Sequence, residues 1–219
     1  MGITLRLLAL GLVWTSCGGA TTGLAGELEK LEAALAKTSS FSAHFIQKTY
    51  NPLRDKTVVL SGRLSWMRPG LVRFEYQEPD PLLVVVGKRQ VWIYDPILEN
   101  VTLEPKAEVD RLEALSFFFG TTRLTDLYEP LSKPQHTSPL AQGAGWIYLK
   151  PKKPTPGLVE LHLQPGLGLL RGFLVFDDQG NWRLFELEQP NQGPAPKAED
   201  FEFKIPEGME VIDKLTVAH

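Results

Sequence analysis

The chain has 219 residues, 43% of them apolar and 22% charged, which is enough to build a core and unlike the composition of a disordered chain. A formal net charge of −3 and a pI near 5.9, with Lys and Arg scattered among Asp and Glu, exclude a binder of phosphate backbones, so no nucleic-acid partner is expected. The single cysteine, Cys17, excludes a disulfide framework and a thiolate metal site.

The chain opens with Arg6, the apolar run from Leu7 to Trp14 and a run of mostly small and polar residues from Ser16 to Ala25. That order reads as an export signal over residues 1–25, with Gly23-Leu24-Ala25 as the cleavage site. The apolar run is far shorter than the roughly 18–20 residues a membrane span needs. Residues 26–219 are then one domain. Trp14-Thr15-Ser16-Cys17 also resembles a lipobox, in which Cys17 would be acylated and become the mature N-terminus.

Leu28, Leu31, Ala34 and Leu35 recur at helical spacing, with Glu27, Glu29, Lys30 and Glu32 on the wet side, and predict a helix over residues 27–37. The period then changes to two. Alternation predicts strands at Phe41–Ile46, Thr57–Trp66, Leu71–Gln77, Leu82–Val86, Gln90–Tyr94 and Asn100–Leu103. After an interruption, strands resume at Trp146–Lys150, Leu158–Leu163, Leu170–Phe176, Trp182–Glu188 and Phe201–Ile205. Turn residues separate them, as in Arg68-Pro69-Gly70, Asp95-Pro96 and Asp178-Gln179-Gly180.

The interruption places Leu112, Leu115, Phe118 and Phe119 on one helical face, stopped by Gly120, with another turn over Leu124–Tyr128. Pro130 to Gly145 and Pro190 to Pro196 read as loops. Short antiparallel strands interrupted by an apolar helix predict a mainly β fold whose helices cover one face of the sheet. Incomplete packing between the two layers leaves an apolar cavity.

Motifs for chemistry are missing. No nucleophile elbow, P-loop or dinucleotide glycine pattern occurs. His44, His136, His162 and His219 have no metal-ligand spacing, and surface positions are expected for the first three. Asp177-Asp178 precedes Gln179-Gly180 as a hairpin turn. Trp66, Phe74, Tyr76, Trp92 and Tyr94 fit either a β core or a ligand-facing wall. Phe117-Phe118-Phe119 cannot all face one narrow core, because successive helical residues lie about 100° apart. Arg68 continues the face of Leu64 and Trp66. It either finds carbonyls at a helix end or reaches solvent from the strand terminus.

From about Glu27 to Asp213 the sequence resembles the LolA family of periplasmic carriers of outer-membrane lipoproteins. The resemblance is carried by Phe41, Phe45 and Gln47, by Arg68-Pro69-Gly70 with Arg73-Phe74 and by Pro79. It continues in Val91-Trp92-Ile93-Tyr94-Asp95-Pro96, in Leu98-Glu99-Asn100-Val101-Thr102 and in Phe201-Glu202-Phe203-Lys204-Ile205-Pro206-Glu207-Gly208. Val86 and Asn100 depart from the usual pattern, where Asp and Gln are common.

The resemblance implies an incomplete antiparallel β-barrel covering an apolar cavity, with an N-terminal helix and lid helices near residues 110–128. It implies that Arg68 locks the lid. The cavity candidates are Leu64, Trp66, Val72, Phe74, Tyr76, Trp92, Tyr94, Leu115, Phe117, Phe118 and Phe119. The implied partners are acylated lipoproteins, an inner-membrane lipoprotein-releasing ABC transporter and an outer-membrane receptor, with the carrier a monomer in the periplasm. No enzyme activity, cofactor or metal is expected. The alternatives are a lipid-anchored receptor of the related LolB type, if Cys17 is acylated, and an exported hydrolase acting on a lipid-like substrate.

Overall fold

The computed structural model describes residues 19–106, 122–141, 143–166, 170–191 and 193–215. Helix α1 (Gly19–Lys37) leads into six strands: β1 (Ser40–Asn51), β2 (Lys56–Met67), β3 (Leu71–Glu78), β4 (Leu82–Val86), β5 (Gln90–Asp95) and β6 (Asn100–Pro105). A single turn of helix, α2 (Leu124–Leu127), runs directly into β7 (Tyr128–Leu131). β8 (Ile147–Pro151), β9 (Glu160–Pro165), β10 (Leu170–Phe176) and β11 (Trp182–Glu188) follow, then a 3₁₀ turn (Ala198–Phe201) and β12 (Glu210–Asp213).

All twelve strands belong to one sheet, in the order β12-β6-β5-β4-β3-β2-β1-β11-β10-β9-β8-β7. β1 pairs along its length with β2 and joins the second half through β11, with Phe45 opposite both Gly62 and Leu187. Every pairing is antiparallel except β12 with β6. Neither end strand pairs with the other, so the barrel is open.

The sheet is nevertheless curled, and α1 shows it. Arg68, at the end of β2, bonds to the carbonyl of Leu35, while Glu32 of the same helix bonds to Arg123 and Thr125 beside β7. β2 and β7 are six inter-strand steps apart, about 29 Å in a flat sheet. Leu35 and Glu32 are one helical turn apart, about 5 Å. Only a sheet wrapped around α1 brings the end strand β7 and the central strand β2 to one turn of helix. Of the apolar stripe predicted from spacing, Leu28, Leu31 and Leu35 lie in one buried cluster with residues from both halves of the sheet, while Ala34 is exposed.

Gly62 lets β2 and β3 approach at the bend. A Cβ there would stand 2.0 Å from the carbonyl oxygen of Glu75. The rings of Phe45 and Tyr76 meet edge to face at 5.1 Å, their strands paired on either side of this position.

The structure corrects three assignments. Phe201–Ile205 is not a strand: Phe201 ends the 3₁₀ turn, and its ring is buried against Leu71 and Val85. The twelfth strand is instead Glu210–Asp213. The segment from Pro130 begins as strand β7, antiparallel to β8. Helix α1 begins at Gly19, before the predicted start.

Candidate functional site: the inner face of the sheet

Strand pairing sorts the side chains onto two faces. Trp66 lies opposite Val72 and Leu64 opposite Phe74, while Tyr76 lies opposite Gly62, itself opposite Phe45. These residues share the face that α1 covers. From the second half of the sheet, Phe173 and Phe185 stack at 4.4 Å, and Phe185 meets Phe45 of the first half at 6.2 Å. The inner face is therefore one aromatic and aliphatic surface running from β5 to β8. Five of the predicted cavity residues stand on it: Leu64, Trp66, Val72, Phe74 and Tyr76. Tyr76, Val84 and Ile93 remain only half-buried there.

Trp92 and Tyr94 do not stand on it, which corrects the prediction. Val86 pairs with both Val72 and Val91, so Val91 and Ile93 take the inner face and Trp92 and Tyr94 the outer. Trp92 packs with the outer cluster of Leu71, Val85 and Phe201, and the Tyr94 ring lies 5.4 Å from Phe203. Every residue of β5 from Val91 to Tyr94 is apolar or aromatic, so alternation distinguished two sets without saying which faced inward.

A short polar chain crosses the inner face. The Tyr76 hydroxyl donates to Gln47 Oε1 at 3.0 Å, and Gln47 Nε2 donates to Thr49 Oγ1 at 3.0 Å. Burial pushes the Tyr76 phenol up to about 12 against the opposing charge of Arg183, so it remains a donor at neutral pH. Gln47 is buried and needs these partners.

Arg68 stands where the inner face meets the end of α1. Its Nε donates to the Thr38 carbonyl at 3.0 Å and its Nη2 to the Leu35 carbonyl at 2.9 Å. The guanidinium carbon lies 5.4 Å from the centroid of the fully buried Trp66 ring. The last helical carbonyls lack intrahelical partners and carry the negative end of the helix dipole, so a fixed cation fits there. The Thr38 hydroxyl takes the Ala34 carbonyl at 2.9 Å and completes the cap. Of the two readings open from the sequence, the helix-end carbonyls are the observed one.

The other end of the helix contact is also polar. Glu32 accepts the Thr125 amide at 2.8 Å and the Arg123 guanidinium at 3.0 Å. Burial opposes ionisation of Glu32. The Thr125 amide, Arg123 and the Thr125 hydroxyl together outweigh it and hold the carboxyl below its usual range. Lys152 Nζ donates to the Thr125 carbonyl at 2.6 Å and ties α2 to the end of β8.

The expectation of surface histidines fails at His162. It is buried on the outer face of β9, 2.6 Å through Nε2 from Glu160, itself 1% exposed. Glu160 also accepts the backbone amides of Gln135 and His136 and lies 2.8 Å from His136 Nδ1. This carboxylate fastens the loop after β7 to the sheet. Sequence spacing missed the fastening because His136 and Gln135 lie 24 and 25 residues from Glu160. Among the described residues, no group of three or more His, Cys, Asp or Glu could hold a metal ion. Leu115, Phe117, Phe118, Phe119, Cys17 and the greater part of the predicted lid lie outside the described residues.

Comparison with known proteins places this geometry in a family. The model of "Outer membrane lipoprotein carrier protein LolA" matches residues 36–204. The chain belongs to the LolA family. It is 27% identical over 188 residues to the outer-membrane lipoprotein carrier protein of Dechloromonas aromatica, covering 86% of this chain and 88% of that one. With the carrier protein of Vibrio cholerae it shares 28% over 202 residues, covering 88% and 93%. Among solved structures, a LolA superfamily protein from Nitrosomonas europaea aligns with a TM-score of 0.44 at 10% identity, covering 82% of this chain and 97% of that one. An uncharacterized conserved protein from Thermus thermophilus aligns at 0.48 and 13%, covering 88% and 98%. In LolA terms, Arg68-Pro69-Gly70 and Val91 to Pro96 both fall inside the matched region.

Proposed function

We propose that this LolA-family chain is a periplasmic carrier without enzymatic activity. It accepts acylated lipoproteins from an inner-membrane ATP-driven transporter, shields their acyl chains against the inner face of the sheet, and delivers them to an outer-membrane receptor. The observation that carries the reading is the inner face itself. It is apolar across both halves of the sheet and half-buried at Tyr76, Val84 and Ile93.

Energetics explain why such a carrier is needed. A triacylated lipoprotein carries roughly 45 methylenes, each worth about 0.8 kcal/mol when removed from water. Release into the periplasm without a carrier therefore costs on the order of tens of kcal/mol gross. The cargo must pass directly from donor to carrier to acceptor. The sequence has no nucleotide-binding loop, so the transporter supplies the energy of extraction.

A carrier that binds too well stalls at delivery. Arg68, bonded to helix-end carbonyls beside Trp66, stabilises the closed empty state, and part of the cargo's binding energy goes into opening it. A set of charge-assisted bonds worth about 1.5–3 kcal/mol tunes affinity by roughly 10- to 150-fold.

The test is size-exclusion chromatography of the processed protein mixed with a triacylated lipoprotein, without detergent, with and without donor membranes and ATP. A soluble complex that a de-acylated lipoprotein does not form is expected. Free elution of the protein in both conditions would end the carrier reading.

A further inference from the structure

We infer that the β1–β2 hairpin is a lipid-contacting tip that seats the molecule on an anionic membrane surface. β3 pairs with β2 only from Ser61 onward, so residues 56–60 project past β3, while on the other side β1 stays paired with β11 as far as Tyr50. Leu53 at the tip is 89% exposed, and Val58 and Val59 are exposed behind it. The strands run alternately, so the β5–β6 turn lies at the same end of the sheet and brings exposed Ile97 and Leu98. Five of the nine exposed large apolar residues among the described ones thus share one end of the molecule.

The hairpin is built to hold this display. Tyr50 stacks on Trp182 at 5.5 Å and donates its hydroxyl to Asp55 at 3.0 Å. Asn51 Oδ1 accepts the Arg54 amide at 3.0 Å and closes the turn over Pro52 and Leu53. Asp95 Oδ1 accepts the amides of Ile97 and Leu98, both at 2.9 Å, and fixes the second turn.

The geometry favours lipid as the occupant. Val58 and Val59 are consecutive in a strand and point to opposite faces. A flat protein partner would cover one of them and leave the other wet, whereas a bilayer interface can take up both. Arg54 and Lys56 follow Leu53, on either side of Asp55, and their side chains make no hydrogen bond or ion pair among the described residues. Long basic side chains beside an inserted apolar tip reach back to anionic headgroups. Glu78, Asp80, Glu99, Asp177 and Asp178 stand at the same end, the last two in the turn whose Gly180 lies beside Pro52, and keep the contact weak. A weak contact suits a molecule that must leave again. The contact does not depend on the carrier reading.

The experiment is flotation of the processed protein with vesicles of phosphatidylcholine alone and of phosphatidylcholine with an equal part of phosphatidylglycerol. Binding to the anionic vesicles is expected, weakened at least 10-fold by Leu53→Asp and several-fold by Arg54→Ala with Lys56→Ala. In Leu53→Trp, the emission added over that of the parent's own tryptophans should move to the blue with anionic vesicles. Unchanged circular dichroism of each variant checks the fold. No flotation on either vesicle, or flotation that Leu53→Asp leaves unchanged, overturns the inference. The second outcome would assign the contact to another element or to an N-terminal lipid. Soluble-complex formation with lipoprotein should survive Leu53→Asp, which keeps this test apart from that of the carrier reading.

Discussion

Arg68 places a permanent charge where α1 ends, and its two carbonyl bonds serve the helix and the proposed gate together. Replacing it with leucine keeps the apolar contact with Trp66 and removes both bonds. We expect Arg68→Leu to lower unfolding free energy by about 1–3 kcal/mol and to retain lipoprotein while passing it on slowly. Transfer from loaded carrier to receptor-containing membranes measures this. Normal transfer would separate the helix cap from any gating role. His162 makes a different claim at the same scale. Burial lowers its pKa from the ordinary 6.5, against the hydrogen bond and charge of Glu160. The unfolded chain then binds the proton more readily, so this contribution is complete above the unfolded value and declines as pH falls through 6.5 toward the folded value. One such group changes stability by at most about 1.4 kcal/mol per pH unit. Thermal melts between pH 7.5 and 5.5 should show the decline, and His162→Gln should flatten it.

At the scale of elements, α1 is the part that joins the middle of a long curl to its β7 end. Its stripe of Leu28, Leu31 and Leu35 was legible in the sequence because one face is buried and the other wet. Its polar fastenings were not, since Glu32 meets Thr125 across 93 positions. The same contrast runs through the strands. β2 and β3 alternate between core and water, and periodicity located them. β12 has four exposed residues and no burial pattern to read, and it exists because β6 offers it an edge. β9 is buried on both faces, because the loop after β7 covers its outer side, and so His162 resembled a surface residue. The α1–α2 contact gives a test. Glu32→Gln should cost about 1–2 kcal/mol at neutral pH. In the parent protein the lowered pKa of Glu32 makes this stabilisation complete above about 4.5, and it is lost as pH falls through the folded value. Melts of parent and variant should therefore converge as pH falls from 4.5 through the folded value, and a constant difference across that range would assign the effect to packing.

For the molecule as a whole, the question is which face of the sheet meets the cargo. Ile93 and Tyr94 are neighbours on β5 and both half-buried, yet one belongs to the inner face and the other packs on Phe203 outside. A carboxylate at either position disturbs the same strand, so the two variants control for each other's effect on folding. If the inner face holds acyl chains, Ile93→Asp puts an ionised group where methylenes would lie, and desolvating it outweighs several of them. We expect Ile93→Asp to weaken capture of an acylated peptide at least 10-fold and Tyr94→Asp to change it less than about 2-fold. Fluorescence titration with an acylated peptide, on variants matched by circular dichroism, reads both. Equal loss in the two variants would mean that binding follows strand stability, and a larger loss for Tyr94→Asp would put the cargo on the outer face, beneath Phe203.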